Sequence, residues 1–248
     1  ANEECCFELG SICVDYVRMH KDEQEIALMR QSSLFNDQAI DQVIQLCAQG
    51  NLTEKQVAKQ LDGIFQSLGC SGNSFEPIVG YGANGADGHH GCDDSTLKPG
   101  DSIVIDMGGL YQGYCSDMTR TVFYKEVSDK QREVYELVKK ANEAAEAMIK
   151  PGVRLCDIDK TARDIISEAG YGPNFNHRLG HFIGRDVHEY GDVSASFDMP
   201  VEPGMIFSIE PGIYIQGEFG VRIEDLVLVT EDGCEVLNHY PKDLMIIG

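Results

Sequence analysis

Tryptophan is absent from this 248-residue chain, and basic residues are few: Lys and Arg number 20 against 41 Asp and Glu, a formal charge of −21. That imbalance argues against nucleic acid or an anionic membrane as a partner, since both are held through basic patches. No apolar run approaches the roughly 18 residues that span a bilayer, and no charged-then-apolar signal segment opens the chain. The 9 cysteines include no CxxC pair and are irregularly spaced, which suggests neither a zinc ribbon nor a disulfide framework. Reduced thiols in a cytoplasm are the simplest account. GxSxG and P-loop patterns are missing too, so the sequence offers no nucleophile elbow and no phosphate cradle.

What is present is regular patterning. Apolar residues recur at helical spacing from Asp22 to Gln49 and stop at Gly50. Thr53 and Gln56 form a capping box that opens a second helix. "FEPIVGYG", "DSIVIDMG" and "GYCSDMTRTVFY" then read as strands. The pattern restarts at the Ser128–Gln131 capping box, with a long helix to about Lys150 and a shorter one from about Asp157 to Ala169, capped by Gly170. "GMIFSIEPGIYI" and "VRIEDLVLV" are again strand-like.

Helix, helix, strands, repeated, is an internal duplication, and two alignments support it. "LKPGDSIVIDMG" superposes on "VEPGMIFSIEPG" at an offset of 104 residues, pairing Asp106 with Glu210. "GYCSDMT" superposes on "GVRIEDL" at an offset of 107, pairing Asp117 with Glu224. An α+β fold follows: a curved antiparallel sheet duplicated about a pseudo-twofold axis, covered outside by helices, with the acids in its concavity. Residues 1–20 lie outside the duplication and read as a leader helix or the remainder of an amino-terminal domain; residues 21–248 form the duplicated domain.

Four acids in two equivalent pairs, each among apolar neighbours, would be costly to bury together uncompensated. Two divalent cations would balance them, which points to a dinuclear centre. "HRLGHFIGRDVHE" has the histidine spacing of HExxH at His177 and His181 but lacks its glutamate. His181, flanked by Gly180 and Gly184, is instead the candidate single imidazole of a carboxylate-rich site suited to manganese, cobalt or iron, with zinc also admitted. Cys115 reads as core packing.

These segments, "DMGG…YCSDMTRT", "GHFIGRDVHE", "SIEPGIY" and "GVRIED", resemble the signatures of the pita-bread metallopeptidases, which include methionine aminopeptidase, aminopeptidase P and prolidase. The resemblance implies that Asp106 chelates one ion, Asp117 and Glu224 bridge both, and His181 and Glu210 complete the second ion's shell, with Glu210 handling the proton of a bridging water or hydroxide. It also implies that His89 and His188 hydrogen-bond the scissile amide and the developing oxyanion, and that His177 contacts substrate. Arg222, on the strand face of Glu224, would fix a carboxylate or orient a ligand acid. "TRT" and "PGIY…GVRIED" resemble the proline-specific branch, whose reaction is metal-assisted hydrolysis of the bond before proline in an Xaa-Pro dipeptide or longer peptide. A homodimer is compatible with that branch. Two other readings stay open: a methionine aminopeptidase, and a non-catalytic pita-bread binding module.

Overall fold

The computed structural model describes residues 10–248; the first nine residues of the segment read as a leader lie outside the described residues. The chain begins with α1 (Ser11–Met19), α2 (Glu23–Ala48) and α3 (Glu54–Leu68). Asp22 caps α2 by accepting the N–H groups of Gln24 and Glu25, and Thr53 caps α3 through the reciprocal box with Gln56. Strands β1 (Ile78–Tyr81), β2 (Ser102–Met107), β3 (Leu110–Tyr111), β4 (Tyr114–Cys115) and β5 (Met118–Tyr124) follow. The second half opens with α4 (Asp129–Met148) and α5 (Leu155–Glu168), the latter starting two residues before the sequence expectation. It continues through β6 (Gly180–His181), β7 (Asp192–Val193), β8 (Ile206–Ile209), β9 (Gly212–Ile215), β10 (Phe219–Arg222), β11 (Asp225–Val229) and β12 (Cys234–Val236). The short β13 (Ile246–Ile247) ends the chain.

In the first half β1, β2 and β5 are antiparallel neighbours; in the second, β12, β11 and β8 are. Each set is backed by its own helix pair. Ile103, Ile105 and Met107 of β2 pack with Ile40, Val43 and Leu61 of α2 and α3. Phe207 and Ile209 of β8, with Val221 and Ile223, pack with Val134, Val138 and Ile158 of α4 and α5. Complete burial of such side chains contributes about 1.5–3 kcal/mol each. Strand alternation then sends the intervening residues to the opposite face. On β2 that residue is Asp106, after Ile209 it is Glu210, and after Ile223 it is Glu224. One core per half therefore aims the acids at a common cleft.

The structure departs from the sequence expectation in two places. Asp117, Glu210 and Glu224 each sit in a break between strands rather than inside one. Pro211 has no N–H to continue the ladder, and the Glu224 N–H leaves its own half to reach Thr119 O at 3.1 Å. The sheet is not wholly antiparallel, because β13 pairs parallel with β5. The helix α1 falls in the segment read as a leader and is tied to the body: Met19 is buried in the second-half core, and Lys21 N–H donates to Gly204 O at 2.9 Å.

Candidate metal centre

A cleft of about 860 Å³ runs between the halves, lined by Asp106, Asp117, His181, Glu210, Glu224 and Arg222, with His89, His177 and His188 also on its walls. All the residues singled out in the sequence therefore meet at one site. One ligand atom from each of Asp117, His181 and Glu224 lies within 4.8 Å of the other two. His181 Nε2 is 3.6 Å from Glu210 Oε1 and 3.4 Å from Asp117 Oδ2.

Backbone packing sets these positions. Gly180 precedes the histidine because a Cβ there would come within 1.8 Å of Ser208 O in β8; the glycine allows strand packing rather than a path beside an ion. The His181 N–H donates to Ser208 Oγ at 3.0 Å. Its Nδ1 lies 3.2 Å from Phe182 O, a group that can only accept, so Nδ1 carries the proton and Nε2 presents a lone pair to the carboxylates. Two acceptors facing each other at 3.4 Å repel unless a proton or a metal cation lies between them.

Thr119, directly across from Asp106 in the β2–β5 register, joins the halves. Its hydroxyl donates to Glu224 Oε2 at 2.6 Å and accepts from Arg222 Nε at 3.0 Å. Arg222 is 3% exposed and spends its other donors on Asp106 Oδ2 (2.7 Å), Tyr214 Oη (2.8 Å) and Gly88 O (3.3 Å). Tyr214 in turn lies 3.0 Å from His177 Nε2, and His177 Nδ1 lies 2.7 Å from Arg178 O. The central Arg120 of "TRT" faces away from the cleft. It donates to Asp225 Oδ1, Tyr240 O and Glu224 O.

The electrostatics match this crowding. Burial, then the neighbouring Asp106, holds the Asp117 carboxyl well above the usual range. Burial and then Asp117 do the same to Glu224. Burial pushes Glu210 up to about 7. Burial also keeps the imidazoles neutral, lowering His181, taking His188 down to about 4 and His177 to about 3. His89 and His188 both reach solvent at the cleft, but the His188 ring is partly desolvated where it meets His181 edge-on, with ring centroids 4.3 Å apart.

Three buried oxygens here have no hydrogen-bond partner: Asp106 Oδ1, Asp117 Oδ1 and Glu224 Oε1. Buried acceptors are rarely left so. Together with the free Nε2 they form a hard, anionic donor set, and Asp106, Asp117, His181, Glu210 and Glu224 fit divalent cations.

A second group of acids and a histidine, Glu54, His90 and Asp93, is also close enough to hold an ion. Its chemistry differs. Glu54 Oε1 accepts from Tyr81 N (2.7 Å) and Asn84 Nδ2 (2.9 Å), and Oε2 from His90 Nε2 (2.7 Å) and Asp93 N (3.0 Å). A carboxylate with about four acceptor sites is filled by four donors. Glu54 is therefore a rivet for the loop carrying His89, a role invisible in a sequence where only Thr53 and Gln56 of that turn carried a signal. His90 takes part in this rivet, whereas His239 is a surface residue, its side chain 74% exposed. Cys115 is buried and its thiol is pushed up to about 12, as core packing requires.

Two helix-backed, repeated sheets are the architecture this chain shares with solved pita-bread proteins. The X-Pro aminopeptidase of Thermotoga maritima superposes with a TM-score of 0.91 at 39% identity, over 95% of this chain and 67% of its own. The Xaa-Pro dipeptidase of Bacillus anthracis superposes with a TM-score of 0.92 at 36% identity, over 94% of this chain and 66% of its own. In sequence, a Xaa-Pro dipeptidase of Lactobacillus helveticus is 43% identical over 235 residues, 94% of this chain and 64% of that protein. The model of the metallopeptidase family M24 matches residues 27–231, and the chain belongs to that family. It spans 63% to 66% of the length of the curated relatives it matches. No described helix is long and apolar enough to cross a membrane.

Proposed function

We propose that this protein is a metal-dependent exopeptidase that hydrolyses the bond before a proline in second position. The observation that carries the reading is the set of orphaned oxygens on Asp106, Asp117 and Glu224 around the free Nε2 of His181. The residues that would hold two ions are Asp106, Asp117, His181, Glu210 and Glu224, with Asp117 and Glu224 shared. A bound pair of divalent cations, manganese by preference, would supply Lewis-acid activation of water and of the scissile carbonyl.

The chain's own residues do the rest. Glu210, pushed up to about 7 by burial, is placed to accept a proton from the attacking water and return it to the leaving proline nitrogen. His188 and His89, at the cleft mouth, hydrogen-bond the substrate amide and the developing oxyanion; burial keeps His188 neutral at working pH. His177, neutral for the same reason, lines the cleft with both ring nitrogens engaged by Arg178 O and Tyr214 Oη, so its contact with substrate would be through the ring itself. Arg222 gives four of its five donors to Asp106, Tyr214, Gly88 and Thr119, so of the two roles open to it, orienting the ligand acid Asp106 is the one its contacts support. The relatives named as Xaa-Pro peptidases support proline as the second residue.

The test is a hydrolysis panel with manganese added: Ala-Pro, a Gly-Pro-containing tripeptide and a Met-Ala-containing tripeptide. Cleavage of either proline substrate is expected. Cleavage of the Met-Ala peptide alone would transfer the chain to methionine aminopeptidases, and cleavage of none would leave a binding module.

A further inference from the structure

Glu189 follows His188, and its side chain is only 4% exposed. Its Oε1 accepts from Arg18 Nε (3.2 Å), from Arg18 Nη2 (2.6 Å) and from the N–H of Arg185 (2.9 Å), while Oε2 accepts from Lys21 Nζ (3.0 Å). The Glu189 N–H donates to Phe182 O at 2.9 Å. The loop after His181 thus folds around this carboxylate. Gly184 makes the room, because a Cβ there would come within 2.7 Å of Glu189 Oε1.

Arg18 comes from α1, outside the duplicated unit, and Lys21 from the first residue of that unit, in the connection between α1 and α2. Lys21 is as buried as its partner, with a side chain 2% exposed. Its backbone is fixed by the bond to Gly204 O, and Met19 is sunk in the core. A buried carboxylate deprived of such partners must rearrange or take up a proton. Either change moves the residue beside it, and His188 sits with its ring edge-on to the ligand His181.

We propose that Arg18, Lys21 and Glu189 form a strap that positions His188 over the metal centre, so that the helix preceding the duplicated halves is a working part of the active site. They act through His188 and are positioning residues. This rests on the reading of His188 as a substrate contact.

The test compares Arg18→Ala, Lys21→Met and His188→Ala, alone and combined, on Ala-Pro with the manganese-loaded full chain. Each strap variant is expected to lower kcat about ten-fold with KM and the metal-to-protein ratio unchanged, since misplacing a reacting group is a kcat effect. Arg18→Lys, which keeps the charge, should recover most of that loss. In the His188→Ala background the strap variants should cost nothing further, because the strap acts only through His188. Independently of turnover, hydrogen exchange at the Arg185 amide should accelerate in chelator-treated Arg18→Ala and Lys21→Met proteins. Wild-type kcat in the strap variants, losses that multiply with His188→Ala, or unchanged Arg185 exchange would each overturn the strap. Wild-type turnover of His188→Ala itself would instead remove the role assigned to His188, and the strap's purpose with it. Should Lys21→Met fail to fold, Arg18→Ala, at a side chain 35% exposed, carries the same comparison.

Discussion

Asp117 and Glu224 in the cleft, and Glu54 behind the His89 loop, are all buried carboxylates within reach of an imidazole. Their hydrogen-bond donors separate them. In the cleft Arg222 donates to Asp106 and Thr119 to Glu224, yet Asp106, Asp117 and Glu224 each leave an oxygen without a partner, while Glu54 has a donor at every acceptor site. A folded chain can therefore prepare buried negative charge for two purposes, and the count of unfilled lone pairs tells which. An unfilled set awaits a cation; a filled set holds backbone in place.

The sharpest way to break this comparison is Asp117→Ala, which should lower turnover by on the order of 10³-fold and reduce metal content measured by elemental analysis. Full two-metal occupancy in that variant would refute its shared-ligand role. Metal removal comes next. Chelation should lower the melting temperature, since binding to the folded state alone contributes roughly 2.7 kcal/mol at a hundred-fold excess over Kd, and an identical melt after verified removal would count against the centre. Glu54→Ala should do the reverse of Asp117→Ala, leaving metal content unchanged while costing about 1–3 kcal/mol in denaturant unfolding, because buried donors lose their acceptor. A fall in bound metal there would mean that saturation does not distinguish the two groups.

The smallest effect concerns another buried acid. Glu146 accepts Lys242 Nζ on both oxygens at 2.7 Å, beside Asp225, and burial pushes its carboxyl up to about 7 from an ordinary 4.5. The folded state thus holds its proton more tightly than the unfolded state. That contribution to stability is full below about pH 4.5 and is lost as pH rises through about 7. The melting temperature of Glu146→Gln should accordingly fall less than that of the wild type between pH 5 and pH 8; parallel curves would show that Glu146 titrates normally.

Much of the fold was legible because its signals are local. Asp22, Thr53 and Ser128 are helix caps within three residues of their partners. Alternation around Asp106 and the repeated "PG…" blocks marked the acid positions without any knowledge of tertiary contacts. The long strands read through Asp117, Glu210 and Glu224 were wrong in extent, since propensity does not register a break produced by contact with the other half, such as Glu224 N–H on Thr119 O. Thr119 and Tyr214 likewise gained their roles only from Arg222, which lies over a hundred positions from Thr119.

The sequence by itself determined which residues carry the charge and which face of each strand they take, because caps and period-two alternation act between neighbours along the chain. Tertiary structure alone decided what each acid meets: oxygens left without a partner for the cleft set, four donors for Glu54, and Arg18 of α1 with Lys21 just beyond it for Glu189. Those pairings span long stretches of chain and depend on how two packed cores meet, which no local pattern encodes.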